Sequence, residues 1–103
     1  MSEAPEARIA PPALKDDTVL VASGRQTTAD LGGASAVLNL DTKVYYTVEG
    51  TALRIWEALA QPTSVRALVE RLVARYEVEP ARCRREVLAF LEQLLAQGLV
   101  EVR

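Results

Sequence analysis

Histidine is absent from this 103-residue chain, and cysteine, methionine, tryptophan and phenylalanine occur once each. Without histidine, the commonest metal ligand and the usual neutral-pH general base are missing. The lone cysteine, Cys83, forms no internal disulfide, and with no histidine beside it most zinc patterns and the Cys–His nucleophile pair are excluded. Gly32-Gly33 has neither the glycine spacing nor the Lys-Ser/Thr of a phosphate loop. No apolar run approaches the ~20 residues that span a bilayer. The N-terminal MSEAPEARIAPPALKDD lacks the basic and apolar regions of a secretion signal. A net charge of −2 gives no global positive field to gather nucleic acid or anionic membrane. These absences imply a cytoplasmic protein that is not an enzyme, with no catalytic residues, metal or cofactor of its own.

What is present is a single modest core. Half of the residues are hydrophobic and a quarter charged, ordinary for one small globular domain. Residues 1–15 carry Pro5, Pro11 and Pro12 without periodicity and read as a flexible tail, leaving 16–103 as the domain. Thr18 to Ser23 is β-branched and short, a first strand. The polar GRQTTADLGGAS that follows reads as a loop, and Ala36 to Leu40 as a second strand. Asp41-Thr42 turns into a third, KVYYTV, which pairs with the second as an antiparallel hairpin.

The period then changes from two to 3.6. Leu53, Trp56 and Leu59 mark a first helix, stopped by Gln61-Pro62. Thr63 or Ser64 caps a second, whose apolar face is Val65, Leu68, Val69, Leu72 and Val73 and which Tyr76 closes. A third starts near Glu79 with Pro80 in its first turn, buries Cys83, Val87, Phe90, Leu91 and Leu94, and ends at Gly98. Strands followed by helices argue an α+β fold, with a three-stranded antiparallel sheet ahead of three helices.

Two features can bind. If the sheet follows sequence order, the third strand lies at its edge, where unpaired backbone groups accept an extended peptide. Alternation puts Val44, Tyr46 and Val48 on one face and Lys43, Tyr45 and Thr47 on the other. The tyrosines then either fill the core and lie on the sheet, or wall a groove. The second feature is Arg82, Arg84 and Arg85 in the first turns of the third helix, where cations oppose the helix dipole. They form either a charge-balanced face with Glu77, Glu79 and Glu86 or the recognition helix of a winged-helix DNA-binding regulator.

Taken together, VYYTVEGTALRIWEAL, TSVRALVERLVARYEV and REVLAFLEQLLAQGLV resemble the PqqD-like proteins, the recognition elements of ribosomally made, modified peptides. The pattern is carried by Tyr46, Ile55-Trp56, Val87, Phe90-Leu91, Leu94 and Gly98-Leu99, while Val48-Glu49 replaces the usual Leu-Asn. That departure touches the strand-to-helix cap more than the groove. The resemblance implies a winged helix-turn-helix-like fold in which the leader of a precursor peptide adds as a strand to the third strand, against the third helix. The implied site is Lys43, Val44, Tyr45, Tyr46 and Thr47 on the strand, with Arg82, Arg85, Glu86, Ala89, Phe90 and Gln93 on the helix. Ile55-Trp56 looks closest to the lasso-peptide branch, whose implied partners are a leader peptidase of cysteine-protease type and an asparagine-synthetase-like cyclase. The pyrroloquinoline quinone branch works instead with a radical SAM enzyme.

Overall fold

The computed structural model describes residues 14–103, so the expected tail lies almost wholly outside the described residues. The described residues form six strands and three helices in the order β1 (Val19–Ala22), β2 (Gln26–Asp30), β3 (Ala34–Asn39), β4 (Tyr45–Glu49), α1 (Thr51–Ala58), β5 (Thr63–Ser64), α2 (Val65–Arg75), α3 (Pro80–Ala96) and β6 (Val100–Val102). Two antiparallel sheets result: β2-β3-β4, and β5-β1-β6. The α+β class and the three-stranded antiparallel sheet leading into three helices stand as expected.

The membership of that sheet differs from the reading in sequence order. The first strand does not join the hairpin; it runs in the middle of the second sheet, between the two-residue β5 and the C-terminal β6. Its place beside β3 is taken by β2, drawn from the segment expected to be a loop. Gln-Thr-Thr-Ala-Asp has no apolar alternation because β2 pairs on one side only and its last four residues are exposed. Gly24 and Gly32-Gly33 bound this strand rather than replace it.

The hairpin forms as expected. Val37 lies opposite Tyr46 and Ser35 opposite Val48, and Lys43 closes the turn at φ 65°. Ser64, not Thr63, caps α2, its Oγ accepting from the Ala67 N–H at 3.1 Å. Glu79 caps α3 and Pro80 opens it, where a missing N–H is harmless. Leu20 of β1, Val37 of β3, Leu68 of α2 and Leu91 of α3, with Leu59 after α1 and Leu99 before β6, are at most 1% exposed and join both sheets to all three helices in one core. Trp56 belongs to that core.

Candidate functional site

Among the described residues β4 is paired on one side only, with β3, and its other edge is open. Which backbone groups face that edge follows from the ladder. The Asn39 N–H donates to the Val44 carbonyl at 2.9 Å, making these two a hydrogen-bonded pair. Antiparallel alternation then assigns Val37–Tyr46 and Ser35–Val48 as the next such pairs. Tyr45, Thr47 and Glu49 are left to direct their N–H and C=O groups outward. Lys43 and Val44 sit differently. The Lys43 N–H donates to the Asn39 carbonyl at 2.8 Å, and the Val44 N–H to the Thr42 hydroxyl at 3.3 Å. Both belong to the turn rather than to the open edge.

The two tyrosines have separate environments. Tyr45 shares a face with Leu38 and is 68% exposed. Tyr46 is half-buried on the inner face beside Val37, packed against the core, and its hydroxyl donates to the Gln97 side chain at the end of α3. At the other end of β4, Thr51 and Ala52 face the first half of α3 across a cavity of about 440 Å³. The strand and the helix therefore run antiparallel, joined at the Tyr46–Gln97 end, and flank a groove; the cavity beyond its α1 end is lined by α1, α2, α3 and the α2–α3 connection and by no residue of β4.

The cavity is floored by Ala52 and Ile55 of α1, Leu72 of α2, and Cys83, Val87 and Phe90 of α3, with exposed Arg82 and Glu86 on its rim. Arg82 Nε donates to Glu86 at 3.1 Å, and Glu77 adds a second carboxylate to the lining. Burial pushes the Cys83 thiol above its ordinary range, and Glu86 acts in the same sense, leaving a neutral thiol on an apolar floor. Arg84 turns away from the groove. Its Nε donates to Asp16 at 2.7 Å and, chiefly through that bond, holds the Asp16 carboxyl below the usual carboxylate range. Arg82 and Arg84, two of the arginines that oppose the α3 dipole, thus have carboxylate partners among the described residues.

Of the helix residues implied from sequence, Arg82, Glu86 and Phe90 line the cavity, while Arg85, Ala89 and Gln93 are exposed along α3 outside its lining. Arg82, Glu86, Ala89 and Gln93 form one stripe, and four residues further it reaches Gln97. That i+4 extension is the signal that finds Gln97, which the sequence reading passed over together with Asn39 and Glu49. Among the described residues no group of His, Cys, Asp and Glu is placed to hold a metal ion, and no helix is long and apolar enough to cross a membrane.

Two solved structures share this architecture. One is TbiB1 in complex with the TbiA(beta) leader peptide, with a TM-score of 0.75 at 25% identity over 79% of this chain and 94% of that one. The other is lasso peptide synthetase B1 complexed with the leader peptide, with a TM-score of 0.72 at 21% identity over 80% of this chain and 96% of that one. No curated protein sequence matches the chain. The family described as coenzyme PQQ synthesis protein D matches residues 35–100, which span the β3–β4 hairpin and all three helices. Covering well over half of its length, that match makes the chain a member of the PqqD family.

Proposed function

We propose that this protein binds the leader segment of a ribosomally made precursor peptide as an added strand on the open edge of β4, with α3 as the second wall. The observation that carries this reading is the outward-facing set of Tyr45, Thr47 and Glu49 backbone groups on an open sheet edge that leads into α1, whose Thr51, Ala52 and Ile55 line the cavity. Each backbone bond to an added strand contributes a net of about 0.5–1.5 kcal/mol, so edge pairing supplies a few kcal/mol and the cavity the rest through an apolar anchor. TbiB1 and the lasso peptide synthetase subunit, both solved with leader peptides, support the same reading. Within it the protein acts without chemistry of its own. It presents the leader to a leader peptidase of cysteine-protease type and an asparagine-synthetase-like cyclase, rather than to a radical SAM enzyme. Of the residues implied from sequence, Tyr45 and Thr47 supply pairing, Tyr46 and Phe90 line the groove, and Arg82, Arg85, Glu86, Ala89 and Gln93 form its helical rim. Lys43 and Val44 shape the turn that aims the strand.

Thr47 provides the test. Its N–H points outward, so Thr47→Pro deletes a peptide-facing donor without removing a β3–β4 bond, a substitution edge strands tolerate. Binding is read by fluorescence anisotropy with fluorescein-labelled precursor leader peptides, the TbiA(beta) leader among them. Thr47→Pro is expected to weaken binding about tenfold or more, because one peptide carbonyl loses its partner and the ring crowds the edge. Affinity should change little between low and moderate salt, whereas a DNA-binding protein would lose affinity steeply. Equal binding by Thr47→Pro and the parent would falsify the edge-strand reading.

A further inference from the structure

One buried amide joins the two walls of the groove. Asn39, the last residue of β3, is 4% exposed, and its Nδ2 donates to the Gln97 carbonyl at 2.6 Å. Its Oδ1 accepts from the Asp41 and Thr42 N–H groups at 2.8 and 3.1 Å, which fixes the turn into β4. Gln97 returns the connection: its side chain accepts from the Tyr46 hydroxyl. Asn39 and Gln97 are 58 residues apart in sequence, and Tyr46 and Gln97 are 51 apart. Gly98 lies beside Asn39 at φ 71°, a backbone conformation that favours glycine, and a Cβ there would meet Asn39 Nδ2 in ordinary contact at 3.4 Å. The end of α3 is thereby tied to both the start and the body of the edge strand.

We infer that Asn39, Tyr46 and Gln97 form a clasp that sets the spacing between β4 and α3 and closes the groove at its Tyr46 end, so that a bound peptide runs from there toward the α1 cavity. This rests on the leader-binding reading and gives Tyr46 a positioning role. Tyr46 holds the wall, while a bound peptide pairs with Tyr45 and Thr47. Asn39 is the buried anchor and Gln97 the adjustable half, since its side chain is solvent-facing and contributes little to the core.

Because the Tyr46–Gln97 bond is exposed, it can be cut while the core is left intact. Tyr46→Phe and Gln97→Ala are each expected to weaken the labelled leader about three- to tenfold, the range of one hydrogen bond. Their thermal midpoints should stay near that of the parent. Gln97→Glu keeps an acceptor and should bind within about twofold of the parent. In the double variant Tyr46→Phe/Gln97→Ala the losses should not multiply, since both changes remove the same bond. A structural role without positioning would give equal losses for Gln97→Ala and Gln97→Glu, or losses that multiply, and either overturns the clasp. Amide chemical shifts of Tyr45 to Val48 in the peptide-free variants give a separate readout. They should move in Gln97→Ala and return in Gln97→Glu. If the parent binds no leader, the functional reading falls, and these shifts still decide whether the clasp positions β4.

Discussion

Gly50 stands where β4 passes into α1, at φ 62° and ψ −135°, a conformation that side-chain-bearing residues rarely adopt. Nothing lies within 4 Å of a Cβ built there, so the constraint is entirely in the backbone. Gly50→Ala should therefore cost about 1–3 kcal/mol without any clash, a fall in thermal midpoint of several degrees for a domain of this size. A thermal melt followed by circular dichroism checks it, and an unchanged midpoint would mean that the junction relaxes to another conformation. Gly50 is followed by a helix whose N-terminus has no side-chain cap. Val48-Glu49, standing where the family pattern has Leu-Asn, falls at this junction, and the sharp turn at Gly50 stands where a cap residue is usual. Tyr46 was less legible. Alternation placed it on the Val48 face, but nothing local in the sequence shows that its hydroxyl meets a residue 51 positions away.

At the scale of elements, legibility followed the hydrophobic period. The three helices are long enough to show repeated apolar positions, and their ends carry chemical marks in Ser64, Glu79-Pro80 and Gly98. Ser64→Ala removes the acceptor for the Ala67 N–H and should cost about 0.5–2 kcal/mol, with Ser64→Asp restoring most of it through the same bond. Urea titrations of the three proteins give the comparison; no loss in Ser64→Ala would mean that β5 pairing, rather than the cap, holds this helix start. The hairpin was legible for the same reason as the helices, since β3 alternates buried and half-buried residues along its whole length. β2, β5 and β6 were not. β2 has one paired side and no apolar face, and β5 and β6 are two and three residues long, too short to show a period. The open edge was correctly placed because β4 ends its sheet whichever strand lies on the far side of β3. The groove's helical wall was only partly legible: a periodic stripe identifies a face of α3 but not where along it the cavity opens.

Taken as a whole, the molecule closes by bringing its last strand back to its first. β6 pairs with β1 from Leu20–Val102 to Ala22–Val100, and the Ser23 N–H donates to the Leu99 carbonyl at 2.8 Å. Leu99 and Val100 are nearly fully buried, and burying each contributes about 1.5–3 kcal/mol. Against a total stability of about 5–15 kcal/mol for a small domain, losing both along with the β6 ladder removes much of the margin. A chain ending at Gly98 should therefore lose cooperative unfolding and the dispersed amide spectrum of a folded domain. A chain ending at Val100 keeps both apolar side chains and should unfold cooperatively at a lower midpoint. The two truncations also separate stability from the site. Gln97 is held on one side by Asn39 and continues on the other into Leu99 and Val100, so the α3 end of the groove has two independent supports. The chain ending at Val100 retains both and should bind a leader peptide within a fewfold of the full-length protein. A collapse of binding in that folded truncation would show that β6 pairing, and not the Asn39–Gln97 contact, sets the position of α3 against β4.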